Sequence, residues 1–372
     1  MSKKKSNKED ISKKDDVLWL NLKKYQDSTN DNNYPIDKKC LSVIEENKKN
    51  KNYRHLVFSG GSIKGMAYCG ALEKLESMGI ICSGQQNCKI TSYAGSSAGS
   101  IVAALLAIGY NVKELTEYSN SIKTEKMFDT SYFYAKNVYD LISSYGVSAG
   151  DYIIQHIEEM IYEKTGKKNY TIQQLYDDTK IKLVITGTNF NHMRTDYFYP
   201  NADKYGKDKK LSEIPISVAV RISTSIPYVF KPYLYQGDLY VDGCILDNFP
   251  IHVFDGEYPG CKLSRLNLSK PNPYVLGLNL LTAEFIDQNC SRHGSQYKRK
   301  EIKNIVSFST TLLNTMMADS IRRIKTPSYW IRSIDIIVPS YEITKFKLSD
   351  KEKALLKEVG EKYVDKFFSK IE

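Results

Sequence analysis

Along most of the chain, apolar positions come in short runs that end in small residues and then return at helical spacing. From His55 the run HLVF enters a glycine-rich turn, and Ala67, Ala71, Leu72, Leu75 and Met78 follow at intervals of one, three and four. That pattern predicts a strand, a loop and an amphipathic helix. The same grammar recurs in ITSYAGSSAGSIVAALLAIGY, a strand through Tyr93, a turn of small residues, and a helix apolar all round that ends near Gly109. A helix with no polar face is buried. KLVITGTNF and TDYFY read as strands, LYVDGCILDNFPI as a short strand entering a turn, and YVLGLNL as a buried strand. Residues 111–180 read mainly as helix, with DYIIQHIEEMIYEKTG closed by Gly166. Ser349 and Glu352 form a capping-box pair ahead of KALLKEVGEKYVDKFF, where Leu355, Val359, Tyr363 and Phe367 recur every four residues. An amphipathic helix packed on the domain is predicted there, over about residues 350–369. Alternating strands and helices predict an α/β fold of three layers, α/β/α, around a central largely parallel or mixed sheet.

Composition bounds this picture. The chain has 372 residues, 41% hydrophobic and 26% charged, which suits one large folded domain with decorations or two smaller ones and excludes a disordered or fibrous chain. The longest clean apolar run, Ile101–Ile108, is far short of the roughly 20 residues that span a bilayer. MSKKKSNKEDISKKDD lacks the apolar stretch of a secretory signal. Residues 1–54 read as a basic, partly disordered extension, with a disordered tail over the first sixteen and a short helical stretch at VLWLNLKKY; residues 55–372 read as the catalytic domain. Seven scattered cysteines, Cys40, Cys69, Cys82, Cys88, Cys244, Cys261 and Cys290, fit reduced thiols in a soluble, cytosolic-type compartment. His55, His156, His192, His252 and His293 stand far apart and there is no Cys-x-x-Cys pair, so no metal site and no cofactor is expected. The net charge of +10 is compatible with nucleic acid, an acidic membrane surface or plain solubility.

Two turns carry candidate chemistry. Gly95-Ser96-Ser97-Ala98-Gly99 matches a Gly-x-Ser-x-Gly nucleophile elbow, in which small neighbours let the chain fold sharply around an exposed serine, here Ser97. Gly60-Gly61-Ser62-Ile63-Lys64-Gly65 also joins a strand to a helix, and its glycines allow several N–H groups to converge on one anion. The loop fails the P-loop pattern, since Lys64 precedes Gly65 and Met66 follows, and it fails the dinucleotide pattern. An oxyanion hole or a bland tight turn remains. An activated serine needs a base. Asp242, at the end of an apolar strand and followed by Gly243, is one candidate, and the downstream histidines His252 and His192 are the others.

FSGGSIKG, AGSSAG and VDGCILDNFPI, in that order, resemble the patatin-like phospholipases, which share a Ser-Asp catalytic core with cytosolic phospholipase A2. The resemblance extends from about His55 to Phe368 through YGVSAGDYIIQHIEEMI, KLVITGTNF, PISVAVRISTSIPYVFKPYLYQGDLYVDG and KFKLSDKEKALLKEVG. It implies the patatin-like α/β/α fold, Ser97 as nucleophile, Asp242 as general base, and backbone N–H groups of Gly60–Gly65 as oxyanion donors. Two positions depart from the family pattern. Ser62 stands where a third glycine is usual, and Cys244 where glycine or alanine commonly follows Asp-Gly. A positive φ at Ser62 would cost about 1 kcal/mol or more, and Ser62 is expected to offer only its backbone N–H or to lie just outside the hole.

The implied activity is phospholipase A or lipid acyl hydrolysis, on fatty-acyl esters of glycerophospholipids, through an acyl-enzyme. A Ser-His-Asp esterase and a catalytically idle membrane-surface module on the same fold are its rivals. The implied partner is a phospholipid membrane reached peripherally, since Ser2 and the Lys-Ile-Glu ending carry no lipidation motif; nucleic acid is not expected, because the tyrosines do not interleave with a basic stripe. Relatives of this kind include secreted effectors that need a cellular protein activator, and Lys-, Asn-, Ile- and Tyr-rich usage fits a bacterial or virus-encoded protein. Residues 111–180, with the aromatic cluster SYFYAKNVY, form the lid-like candidate. Half of the net charge lies in the first 54 residues. Deleting residues 1–16 is expected to weaken sedimentation with anionic vesicles while sparing turnover of a water-soluble ester; unchanged vesicle binding would assign that charge to solubility alone.

Overall fold

A computed structural model of the chain describes residues 38–82, 89–122, 144–201, 211–255, 271–282, 285, 301–303, 305–324, 327–339, 341, 345 and 347–369. The stretches 1–16, VLWLNLKKY and SYFYAKNVY lie outside the described residues. In chain order the elements are α1 (Lys38–Asn50), β1 (His55–Phe58), a 3-10 turn (Ser62–Met66), α2 (Ala67–Ser77), β2 (Ser92–Gly95), α3 (Ala98–Ala107), α4 (Val112–Ser121) and β3 (Gly146–Ser148). There follow α5 (Asp151–Thr165), α6 (Ile172–Thr179), β4 (Lys182–Asn189), β5 (Arg194–Phe198), α7 (Ile216–Ser223), β6 (Tyr228–Phe230), β7 (Tyr233–Tyr235) and β8 (Asp238–Asp242). The last are β9 (Val275–Thr282), α8 (Ile305–Ile324), β10 (Ser333–Val338) and α9 (Asp350–Phe368).

Eight strands make one mixed sheet, in the order β10-β9-β1-β2-β4-β8-β7 with β5 on β4. β10, β9, β1, β2 and β4 run parallel; β5, β7 and β8 are antiparallel additions. β1, β2, β4, β9 and β10 are buried along almost their whole length, as parallel strands flanked by helices on both faces must be. This is the expected α/β architecture with a mixed sheet. Two pieces were not foreseen. Gly146–Ser148, within a region expected to be mainly helical, pairs with β6 in a separate parallel ladder. Helix α1, inside the basic extension, docks on the body: Ile44 is buried and the Asn47 side-chain amide donates to Pro273 O at 3.0 Å.

Helix α9 begins at the foreseen capping box, where Ser349 N donates to Glu352 at 2.9 Å and Glu352 N to Ser349 Oγ at 3.4 Å. It packs on α2 closely enough that the two backbones touch. A Cβ at Gly360 would stand 2.0 Å from Ala67 O, and one at Gly70 would stand 2.0 Å from Lys357 O. Glycine in mid-helix costs about 1 kcal/mol against alanine, and here it is the close approach that demands it. Leu356, Tyr363 and Val364 seal the contact, with Lys74–Asp365 and Lys357–Glu73 pairs at 2.9 and 2.7 Å along its edges. Gly360→Ala is therefore expected to destabilise, by about 1–3 kcal/mol as overpacking does, read as a lower urea midpoint with an unchanged slope.

Candidate active site

The site sits where β1 and β2 end, at the carboxyl edge of the parallel strands, the usual location of ligand sites in open α/β sheets. Ser97 joins β2 to α3 with φ 50° and ψ −126°, a backbone geometry that costs on the order of 1–3 kcal/mol and needs external restraint. The restraint is the crowding of its neighbours. A Cβ at Gly95 would lie 2.3 Å from Gly99 O, and one at Gly99 would lie 2.4 Å from Phe58 O. The small residues of the elbow are thus required by contact, as the sequence pattern implies. Ser97 N donates to Ser223 Oγ at 2.9 Å, while Ser97 O accepts Ser100 N and Ser100 Oγ.

The Ser97 hydroxyl donates to Asp242 Oδ2 at 2.8 Å. Asp242 ends β8 opposite Gly187 and is fully buried. Its other oxygen, Oδ1, accepts the Cys244 amide at 2.8 Å. Its backbone is held from two sides: Asp242 N donates to Ser225 O at 2.9 Å and Thr188 Oγ1 donates to Asp242 O at 2.9 Å. Burial pushes the carboxyl up from its ordinary 3.8 to about 6, against the opposing pull of the Cys244 amide and thiol, the Ser97 hydroxyl and the Arg221 charge. Burial first, then the adjacent carboxylate, drives the Cys244 thiol well above its ordinary value, and the charge of Lys64 opposes that rise. Lys64 itself is half-buried.

The glycine loop lies against the pair. A Cβ at Gly60 would come within 3.0 Å of Ser97 Cβ and 2.5 Å of Asn248 Oδ1. Two amides of the loop are already committed, Gly60 N to Asn248 O at 3.0 Å and Lys64 N to Gly61 O at 3.1 Å. This narrows the expectation that the whole stretch Gly60–Gly65 donates: Gly61, Ser62 and Ile63 are the amides ahead of the first 3-10 hydrogen bond, the positions that lack an intrahelical acceptor. Ser62 does take a positive φ, 51°, so the departure from glycine falls at a position where glycine would be unstrained.

A cavity of about 420 Å³ opens from Ser97. Its lining is largely apolar, with Ile63, Met66, Ile101, Val102, Ile153, Ile226 and Phe230, and also includes polar Asn120, Ser121, Lys347, Asp350 and Lys353. The candidate histidines stand elsewhere. His252 Nε2 is 3.2 Å from Tyr197 OH and 3.6 Å from Asp247, and His192 lies 3.3 Å from Asp238. Among the described residues no group of three or more His, Cys, Asp or Glu side chains is arranged to hold a metal ion, and no helix is long and apolar enough to cross a membrane. Ser223, Ser225, Asn248 and Thr188 were not foreseen as site residues. The one signal was the run of small hydroxylic residues Ser223-Thr224-Ser225 after an apolar helical stretch.

The sequence profile of the patatin-like phospholipases matches residues 56–255, more than half of the chain, including Ser97, Asp242 and the side chains hydrogen-bonded to them. The chain belongs to the patatin-like phospholipases. Its similarity to other proteins covers more of the chain than that span. An uncharacterised protein of Acanthamoeba polyphaga mimivirus is 32% identical over 84% of this chain and 92% of its own length. A probable lipid hydrolase of Invertebrate iridescent virus 6 is 27% identical over 73% of this chain and 84% of its own. Among solved structures, VipD from Legionella pneumophila shares the fold with a TM-score of 0.50, at 17% identity, over 86% of this chain and 67% of that one.

The raised Asp242 value has a sign that can be checked in this patatin-like protein. A carboxyl whose pKa is higher folded than unfolded stabilises the fold most below the unfolded value, and that contribution is lost as pH rises through the folded one. Between pH 4 and pH 6.5 Asp242 should therefore remove roughly 2–3 kcal/mol of unfolding free energy, at about 1.4 kcal/mol per pH unit. Asp242→Asn should lack this fall. Urea unfolding of both proteins at the two pH values measures the difference, and equal changes in the two would refute it.

Proposed function

We propose that the chain is a serine lipid acyl hydrolase, cleaving fatty-acyl esters of glycerophospholipids through an acyl-enzyme on Ser97 and Asp242. The carrying observation is that Ser97, whose hydroxyl donates to the fully buried Asp242 carboxylate at 2.8 Å, lines a largely apolar cavity. In the reading we favour, a fatty-acyl chain lies along the face of α3 formed by Ala98, Ile101 and Val102, with its ester carbonyl over Ser97 and its polar part toward the outer end of the cavity.

Ser97 Oγ attacks the carbonyl carbon as its proton passes to Asp242 Oδ2. The carbonyl oxygen becomes an oxyanion, met by the N–H groups of Gly61, Ser62 and Ile63. Collapse breaks the bond to the glycerol oxygen, which leaves with the proton from Asp242. Water then attacks the acyl-serine, Asp242 takes its proton, and release of the fatty acid returns that proton to Ser97. An ordinary aspartate is too weak a base for this work; burial that raises Asp242 to about 6 brings it closer to the working range. The positive end of α3 adds potential beside the developing charge. Lys64, whose field already reaches Cys244, is the candidate to meet a headgroup phosphate.

Ser97→Ala and Asp242→Asn should each lower fatty-acid release from labelled phosphatidylcholine by at least about 1,000-fold while leaving a folded protein. Variants at His192 and His252 should retain turnover. The rate of the parent should rise through an acid limb near pH 6, since Asp242 acts ionised. Full activity in Ser97→Ala or Asp242→Asn would end the Ser-Asp reading, and loss with His252→Ala in a stably folded protein would favour a Ser-His-Asp esterase.

A further inference from the structure

Two segments far apart in sequence must meet for Ser97 and Asp242 to stand 2.8 Å apart, and the same short turn touches both. After α7 the chain turns through Ser223, Thr224 and Ser225. Ser223 Oγ accepts the Ser97 amide at 2.9 Å, and Ser225 O accepts the Asp242 amide at 2.9 Å. The turn is itself tied to Arg221, which is almost wholly buried. Arg221 Nη1 donates to Ser225 Oγ, and Nη2 donates to Ala149 O, just past β3, and to Lys231 O at 3.0 Å, just past β6. Lys231 N in turn donates to Ser148 O at 2.8 Å.

We propose that Arg221 is a positioning residue for the reacting pair: its guanidinium locks the Ser223–Ser225 turn to the β3–β6 ladder, and the turn sets where the backbones of Ser97 and Asp242 stand. The inference rests on the Ser-Asp reading. Arginine suits the task because its planar fork serves several acceptors in fixed directions without losing charge. The neighbouring chain is shaped to admit it. Gly150 has φ 71°, and a Cβ there would stand 2.4 Å from Arg221 Nε. The rings of Phe230 and Tyr233 lie 5.4 and 5.8 Å from the guanidinium, cation–π distances that favour a desolvated cation. Because Phe230, Thr224 and Ile226 also line the cavity, the same lock shapes the wall facing the substrate.

Arg221 also acts on Asp242 through space, favouring its ionised form. The other groups that face Asp242 are Ser97 from the β2–α3 turn and Cys244 from its own turn, with Lys64 acting on Cys244. From β4 comes Thr188, and α8 presents apolar Leu313, Met316 and Met317 to the Val241–Ile245 segment. Of these, Arg221 is the buried cation acting directly on the carboxylate.

The test follows pH profiles from 4.5 to 9 for hydrolysis of p-nitrophenyl butyrate and for labelling of Ser97 by a fluorophosphonate. Arg221→Met should lower kcat at least tenfold with KM within about twofold, and should move the acid limb of both profiles to higher pH. Arg221→Lys should restore the limb and only part of kcat. A purely structural arginine would lower the melting temperature and leave the limb in place, and a folded Arg221→Met with the parent's limb and kcat overturns the proposal. Should Arg221→Met fail to fold, Ser225→Ala decides, since it removes one link and keeps the charge. It should lower kcat about tenfold with the limb unmoved, and parental kcat there overturns the proposal. Undiminished hydrolysis and labelling in Ser97→Ala would instead refute the Ser-Asp reading itself.

Discussion

A carboxylate sealed from water can hold its charge only if dipoles are already aimed at it, and most of the architecture around Asp242 follows from that requirement. The Cys244 amide and the Ser97 hydroxyl supply one donor to each oxygen, and a buried guanidinium acts from α7. These groups come from three separate stretches of chain, so the carboxylate is both held by the fold and a cost to it. That balance suits a base for a serine hydroxyl. Strong stabilisation would leave the aspartate inert, and weak stabilisation would leave it protonated.

The serine side of the pair shows the same economy of structure in backbone terms. Ser62 and Ser97 both sit near φ 50°, and each begins a helical segment at the end of a buried parallel strand. One turn presents amides and the other a hydroxyl. Strain at Ser97 is borne by the close backbone contacts of Gly95 and Gly99 and by the Ser223 hydroxyl that accepts its amide. In the reaction proposed above, donors oriented in this way before substrate arrives would need little rearrangement as charge develops.

How much of this could be read from residues alone follows from the kind of constraint each residue obeys. The turn at Ser97 was legible because its small residues stand together in the sequence, yet only Gly95 answers to a neighbour within the motif, Gly99, while Gly99 answers to Phe58 and Ser59 at the end of β1. Asp242 was legible through its place at the end of an apolar strand and its order after the two glycine turns. The loop Gly60–Gly65 was visible as a unit, but which amides are committed depends on Asn248, nearly 190 residues later, and no local pattern carries that. Ser223, Ser225 and Arg221 were hidden for the same reason. A hydroxyl at the end of an apolar helix looks alike whether it faces solvent or holds a nucleophile. The histidines were candidates by residue type, and the fold sends His252 to Tyr197 and His192 to Asp238. Of the larger elements, the Ser349 cap and Gly166 stop announced α9 and α5, whereas the ladder of Gly146–Ser148 with β6 depends on a tertiary pairing.

The touching backbones of α2 and α9 bear on where the structural unit around the site ends. The family profile covers residues 56–255, and within it lie the serine, the aspartate and the glycine turn. Outside it lie β9, which completes the hydrogen bonding of β1, and α9, which braces the helix following the glycine turn. The span that the family profile matches is therefore shorter than the set of elements packed around the site. The turn that carries the glycines leans on a helix outside that span, and glycine at 70 and 360 is what lets one helix lie down on the other.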